Sequence, residues 1–214
     1  MGVITISRQL GSGGDEIAGL VCAQLGYQRF DKKTMAQIGA ELGMTGAIVD
    51  RAAASTQIGP RSLIERWFGN YENPLGDPSS WTFGARSDAR VGLSVVDLRK
   101  LIEAGYEKGN VIIVGRGGMA ALQDKPDVLH VRIVAPPEVR IKRVQQREGI
   151  TEEEARQRVD WRDRTDVEWI KRYFDLDSHE PGLYDLLINT RNITPQVAAG
   201  MILDAFKAMP KKAK

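Results

Sequence analysis

The chain has 214 residues, 42% of them hydrophobic and 27% charged, enough for one full core or a core with an inserted lobe, in the composition of an ordinary globular protein. Thirty basic against 28 acidic residues leave a formal charge of +2, too small for a general nucleic-acid or membrane surface, so any basic function must be local. The single cysteine, Cys22, excludes an internal disulfide; no stretch approaches the ~18 apolar residues of a membrane span and no signal-like segment precedes the first strand, so a cytoplasmic protein without membrane partners is expected.

Ile4-Thr5-Ile6 reads as a strand that runs into Ser7-Arg8-Gln9-Leu10-Gly11-Ser12-Gly13-Gly14-Asp15-Glu16 and then a helix carrying Ile17, Leu20, Val21 and Leu25, with Gly26 as its stop. Three glycines in four positions allow positive φ and close approach of a ligand, so successive N–H groups can form an anion-binding concavity at a helix N-terminus. The pattern GxxxxGK(S/T) is not met. If Gly11 to Gly14 is the last turn of such a loop, Arg8 falls on its first glycine and Gly14 on its lysine, and the positive charge must come from elsewhere. On its own the stretch equally suits a strand-to-helix turn whose glycines serve close packing. Cys22, in the apolar pattern of this helix, reads as an inert thiol.

Tyr27 to Phe30 is a short extended piece. Asp31 then caps a helix with Met35, Ile38 and Leu42 on one face, and a further short helix covers Thr45 to Ala54. From about 55 to 87 the periodicity is broken repeatedly by glycine and proline, yet the stretch holds Trp67, Phe68, Tyr71, Trp81 and Phe83. It reads as an ordered insert: a satellite core, a ligand lid, or a contact in a homodimer. Val91, Val95, Leu98 and Ile102 mark a long amphipathic helix leading to Val111-Ile112-Ile113-Val114, a strand buried on both faces. Gly115-Arg116-Gly117-Gly118 follows it.

Val128 to Val134 is the next strand, and Pro136-Pro137 opens a helix with Val139 and Val144. Thr151 and Glu154 form a capping-box signal for one long helix or a pair. There Glu152 with Arg156, Glu154 with Arg158, Asp160 with Arg164 and Glu168 with Arg172 stand at i,i+4 with the acid first, the favourable order for solvated surface pairs. Arg162 and Lys171 have no acid four residues before them, which makes Arg162 the first candidate ligand group and Arg164 the second. A last strand, Asp185 to Asn189, precedes Thr194-Pro195 and a final helix with Val197, Met201, Ile202, Ala205 and Phe206. The alternation predicts an α/β fold with a parallel sheet covered on both faces. His130 reads as a strand residue and His179 as a surface one, neither at metal-ligand spacing.

In an open parallel sheet, ligands bind outside the carboxyl ends of the strands. Arg8 to Gly14, Asp31 to Lys33 and Gly115 to Gly118 all meet that test, so Arg8, Lys32 and Arg116 are placed to surround a polyanion. With Ile-Ser-Arg followed by Gly-Ser-Gly-Gly, Asp31-Lys32, Val-Gly-Arg-Gly, Trp161-Arg162-Asp163-Arg164, and Tyr184-Asp185 to Asn189-Thr190 in order, nearly the whole chain resembles the cytidylate kinase-like family of P-loop nucleoside monophosphate kinases. The resemblance implies a single P-loop kinase-like domain, a three-layer α/β sandwich over residues 1–214, with an insert at about 55–87 and a basic lid at about 148–180. It also implies transfer of the ATP γ-phosphoryl group to a nucleoside monophosphate with Mg²⁺. Gly11, Ser12, Gly13, Gly14, Asp15 and Glu16 would then hold ATP; the resemblance names no metal ligand here, and Glu16 is a candidate for one. Asp31, Lys32, Arg116 and Asp163 would bind the acceptor, and Arg8, Arg116, Arg162 and Arg164 would neutralise the transferring group. Gly14 in place of the lysine, Gly117 in place of an aspartate and Gln37 in place of an arginine are departures. The first of these supports a rival expectation of a nucleotide-binding regulatory protein with weak or no catalysis.

Overall fold

The apolar runs that alternate with helix-period stretches assemble into five parallel strands and their crossovers. The computed structural model describes residues 2–54 and 85–209. In chain order these are β1 (Val3–Arg8), α1 (Gly14–Leu25), β2 (Gln28–Arg29), α2 (Lys32–Glu41), α3 (Gly46–Ala54), α4 (Ala85–Lys108), β3 (Val111–Val114), α5 (Gly118–Ala121), β4 (Val128–Val134), α6 (Pro137–Glu148), α7 (Glu152–Phe174), a 3₁₀ turn (Pro181–Leu183), β5 (Leu186–Asn189) and α8 (Pro195–Ala208). The sheet order is β2-β3-β1-β4-β5, with every pairing parallel. The aromatic insert expected at 55–87 lies outside the described residues except for its last three, which open α4.

Alternation along the strands divides the core. Ile4, Ile6, Ile112, Val114, Leu129, Val131 and Ile133 pack with Ile17, Ala18 and Val21 of α1 and Ala198, Ala199, Ile202 and Leu203 of α8. Val3, Val111, Ile113 and Val128 face the opposite way onto Phe30, Met35, Ile38, Leu98, Leu101, Ile102 and Trp169. Each such isoleucine or leucine, removed from water, stabilises the fold by about 1.5–3 kcal/mol. β3 is buried at all four positions, as its β-branched run predicts. A smaller cluster, Ile141, Val144, Ala155 and Val159, joins α6 to α7.

Three expectations are corrected. Leu42 stands just beyond α2 as its C-cap and is 48% exposed, whereas Met35 and Ile38 are buried. Val197 and Met201 are 52% and 42% exposed, because α8 seats its small-residue stripe, Ala198 and Ala199, against the sheet. The cations of α7 do not follow the acid-first rule throughout. Arg156 pairs with Glu152, but Glu154 closes the capping box with Thr151 and Arg158 turns to Glu148. Arg162 and Lys171 both find an acid four residues after them, Asp166 and Asp175. Among the described residues no helix is long and apolar enough to cross a membrane.

Candidate active site

The ends of β1 and β3 meet the long helix α7 at one rim. After Arg8, the chain turns through Gly11 at φ 79° and Gly13 at φ 82°, both left-handed, before α1 starts at Gly14. The carbonyls of this turn are held away from its inner side one after another. Gln9 O accepts from Ser12 N at 3.2 Å and Ser12 Oγ at 2.8 Å. Leu10 O accepts from Arg140 Nη1 and Gly11 O from Arg143 Nη1, each at 3.4 Å. Thr190 Oγ1 donates to Ser12 O at 2.7 Å, and Arg143 fixes Thr190 in turn through its hydroxyl and its carbonyl. The Gln9 side chain accepts from Ala135 N, tying the loop to the end of β4.

A peptide unit whose carbonyl is fixed on one side presents its amide on the other. By that rule the amides of Gly11 and Gly13 turn inward in the manner of a backbone nest, while the Ser12 amide is spent on Gln9 O. Gly13, the N-cap of α1, has no side chain with which to cap the first turn, so the amides of Gly14, Asp15 and Glu16 carry the positive end of the helix dipole. Two glycines are required sterically. A Cβ on Gly11 would stand 2.6 Å from Arg140 O, and one on Gly14 would stand 2.5 Å from Arg8 Cβ and 2.8 Å from its Cγ. Arg8 therefore crosses over Gly14, and its guanidinium ends against Gly115, where a Cβ would collide with it.

Arg8 Nε lies 3.5 Å from Asp15 Oδ2, and Arg29 reaches the other oxygen of the same carboxylate. Burial alone would raise the Asp15 carboxyl, but Arg8 and Arg29 together outweigh it and hold it below the usual carboxylate range. The acid beside the loop is thereby neutralised. Glu16, next to it, is exposed.

At the end of β3, Gly115, Arg116 and Gly117 take φ of 65°, 57° and 68° in succession. A left-handed conformation costs a non-glycine residue of order 1 kcal/mol. Arg116 is half-buried, with Nη1 3.8 Å from Met35 Sδ. Burial pushes its guanidinium below the ordinary arginine value, and the nearby Arg8 and Arg29 push the same way, against Asp31. A Cβ on Gly117 would lie 2.9 Å from the Phe174 ring and 3.0 Å from Trp169, so α7 leaves no room there for an acidic side chain.

Between the end of β1, the Gly115–Gly117 turn and α7 lies a cavity lined by Ser7, Arg8, Arg116, Arg132, Arg162, Asp163 and Asp166, with Trp169 and Tyr184 among its walls; Gly11, Ser12, Gly13, Gly14, Asp15 and Glu16 do not line it. Arg162 pairs with Asp166 at 3.1 Å. Burial pushes the Asp166 carboxyl up, opposed by Arg162 and Arg8. Asp163 is gripped by Arg140 through two bonds, 3.0 and 2.7 Å. Arg140, whose side chain is 3% exposed, also binds Ala135 O and Leu10 O, so one buried guanidinium straps α7 to the glycine loop. Arg164 is exposed, with its Nε 3.4 Å from Asp160 O, and does not line the cavity. Asp31 caps α2 by accepting from Thr34 N, and exposed Lys32 pairs with Asp50 at 2.9 Å; neither lines the cavity.

Sequence reasoning missed Arg132, Arg140 and Arg143. An arginine inside the apolar run of β4 is a signal that something polar faces it. Arg140 and Arg143 carry no such mark, since basic residues on an amphipathic helix look like its solvent side.

Five parallel strands in the order 2-3-1-4-5, with a glycine loop between β1 and α1, define an α/β protein of the P-loop kinase fold. The same fold is seen in shikimate kinase from Acinetobacter baumannii solved with shikimate, at 13% identity and a TM-score of 0.50 over 97% of this chain and 94% of that one. The chain belongs to the cytidylate kinase-like family, which it matches over residues 3–192. It is 31% identical over 129 residues to a cytidylate kinase of Sulfolobus acidocaldarius, covering 53% of this chain and 70% of the relative. A cytidylate kinase of Ignicoccus hospitalis is 26% identical over 94% of this chain and 97% of its own length.

Proposed function

We propose that the chain transfers the γ-phosphoryl group of ATP to a nucleoside monophosphate or a related small acceptor. The observation that carries this is Arg8: its side chain crosses Gly14 and sets a guanidinium before a loop whose carbonyls are turned away. In GxxxxGK(S/T) the residue after the last glycine supplies the cation. Here that position is Gly14, and the charge arrives from the other end of the loop.

Phosphoryl transfer is catalysed mainly by positioning and by offsetting charge, with little covalent help. The amides of Gly11 and of Gly13 to Glu16 hold the polyphosphate of ATP, the Ser12 amide being spent on Gln9 O, and Arg8 offsets the charge of the transferring group. Arg116, aimed by its left-handed backbone, orients the acceptor. Arg162, fixed by Asp166, closes the site from α7, which with Trp169 helps to exclude water. Asp163 acts as a strut, keeping α7 in register with the loop through Arg140. Asp15 is committed to Arg8 and Arg29, which leaves Glu16 as the candidate carboxylate for a Mg²⁺ brought in by ATP. Such an ion would offset negative charge on the polyphosphate.

One observation favours the second reading, a nucleotide-binding protein with weak or no turnover: Arg8 is already paired with Asp15, so its charge is partly offset before a ligand arrives. Consumption of ATP with each common nucleoside monophosphate in turn separates the two. Turnover that requires one acceptor supports the kinase, whereas ATP binding with no turnover across the whole set rejects it.

A further inference from the structure

Arg132 belongs to no motif of the sequence, yet it lines the cavity with Arg8, Arg116 and Arg162. It sits on β4 opposite Ser7 of β1, and its side chain is half-buried. Nη1 donates to Tyr184 Oη at 2.8 Å, and the guanidinium lies over the Tyr184 ring, 5.2 Å from its centroid. Tyr184 Oη donates onward to Ser178 O at 2.9 Å. The head of Arg132 is thus held in one orientation by an aromatic platform that is itself fixed.

Arg8, Arg140 and Arg162 each have a carboxylate at hand: Asp15, Asp163 and Asp166. Arg132 has no carboxylate within ion-pairing distance among the described residues. Of a guanidinium's five N–H donors, the Tyr184 bond uses one. A fixed, partly desolvated cation without a counter-charge is unfavourable until an anion meets it, and a planar fork held rigid is suited to bidentate contact with an oxyanion.

We infer that Arg132, oriented by Tyr184, anchors an oxyanion of the acceptor, a phosphate monoester, and so helps to decide which acceptor the cavity takes. That the anion belongs to an acceptor rests on the phosphotransfer proposal; that the site binds an anion rests only on Arg132 and its surroundings. The test is calorimetric titration of inorganic phosphate into the full chain, with and without saturating ADP, for the native protein, Arg132→Gln and Arg132→Lys. A charged hydrogen bond contributes about 1.5–3 kcal/mol, so phosphate affinity falls about tenfold or more in Arg132→Gln. Arg132→Lys lies between the two, because it keeps the charge without the fork. Tyr184→Phe, which keeps the ring and loses the acceptor of Nη1, weakens binding by a smaller factor. In steady state the KM for the acceptor rises by a similar factor while the KM for ATP stays put.

Unchanged phosphate affinity in Arg132→Gln, with only a lower urea midpoint, overturns the inference and makes the Arg132–Tyr184 pair a packing contact. Malonate bound more tightly than phosphate overturns the phosphate ester in favour of a carboxylate ligand. If no monophosphate supports turnover while phosphate binding still depends on Arg132, the anion subsite stands and the kinase proposal falls.

Discussion

Two glycine turns leave the same rim of the sheet, one after β1 and one after β3, and they do different work. Residues 9–14 open the twelve-residue helix α1, and their carbonyls are held away by Ser12, Arg140, Arg143 and Thr190. Their product is a set of inward amides. Residues 115–117 open only the four-residue α5 and hold three left-handed residues in a row, the middle one an arginine. Their product is the direction of one side chain. A glycine-rich turn thus reads as a backbone site only when its carbonyls have partners elsewhere and a full helix follows.

The largest effect that would break this comparison is on Arg140. Arg140→Met removes the strap from Leu10 O and Asp163 together and leaves a carboxylate 31% exposed without its partner. A loss of about 3 kcal/mol is expected, measured by urea unfolding. A midpoint equal to the native one would mean that the first turn keeps its shape without its carbonyl donors.

Arg8→Ala comes next. Activity is expected to fall about 10²–10³-fold, as for loss of one charge-stabilising group, with the circular dichroism spectrum unchanged. Gly14→Ala should mimic it, because the added Cβ displaces Arg8. Near-normal turnover in either variant would take Arg8 out of the site.

Arg116→Gly sharpens the contrast from the side of the second turn. Relief of the left-handed arginine stabilises the fold by about 1 kcal/mol, while acceptor turnover falls. A variant that is both less stable and fully active would show that the turn does not serve to aim the side chain.

The smallest effect is one of pH. His130 is buried, with Nδ1 2.7 Å from Thr5 Oγ1 and the Leu122 backbone beside its ring. Burial pushes its pKa below the ordinary histidine value of 6.5, against Asp185. The folded chain keeps it neutral and the unfolded chain protonates it sooner, so stability is lost as pH falls below about 6.5. Urea midpoints at pH 7.5 and 5.5 should differ, and His130→Gln should narrow the gap. The low-lying Asp15 and Glu148 carboxyls take up protons only in more acid solution.

Much of the architecture was legible because its signals are local. The apolar run 111–114, the Asp31, Thr151 and Thr194 caps, and Gly26 as the stop of α1 all appear where the pattern places them. The site was legible in part. Arg8, Arg116 and the glycine loop were singled out through strand ends and Arg162 through the lack of an acid four residues before it, and the three arginines line one cavity. Arg132 was passed over although its place in the apolar run of β4 marks it, and Arg140 and Arg143 were not found, since nothing within a few residues of them distinguishes a loop donor from a solvated cation. Helical spacing likewise misjudged Arg162, whose acid follows it.

Periodicity, caps and glycines act over a handful of residues, so strands, helices and the two rim turns were written into the chain before any tertiary contact formed. Whether the first turn would offer amides depended on donors 178 residues away, Thr190 on Ser12 O, and 130 residues away, Arg140 on Leu10 O. Only the packing of α6, and of the residue that follows β5, against the loop after β1 brings them there. Hydrogen bonds reach about 3 Å, so which partners meet is a property of the assembled fold.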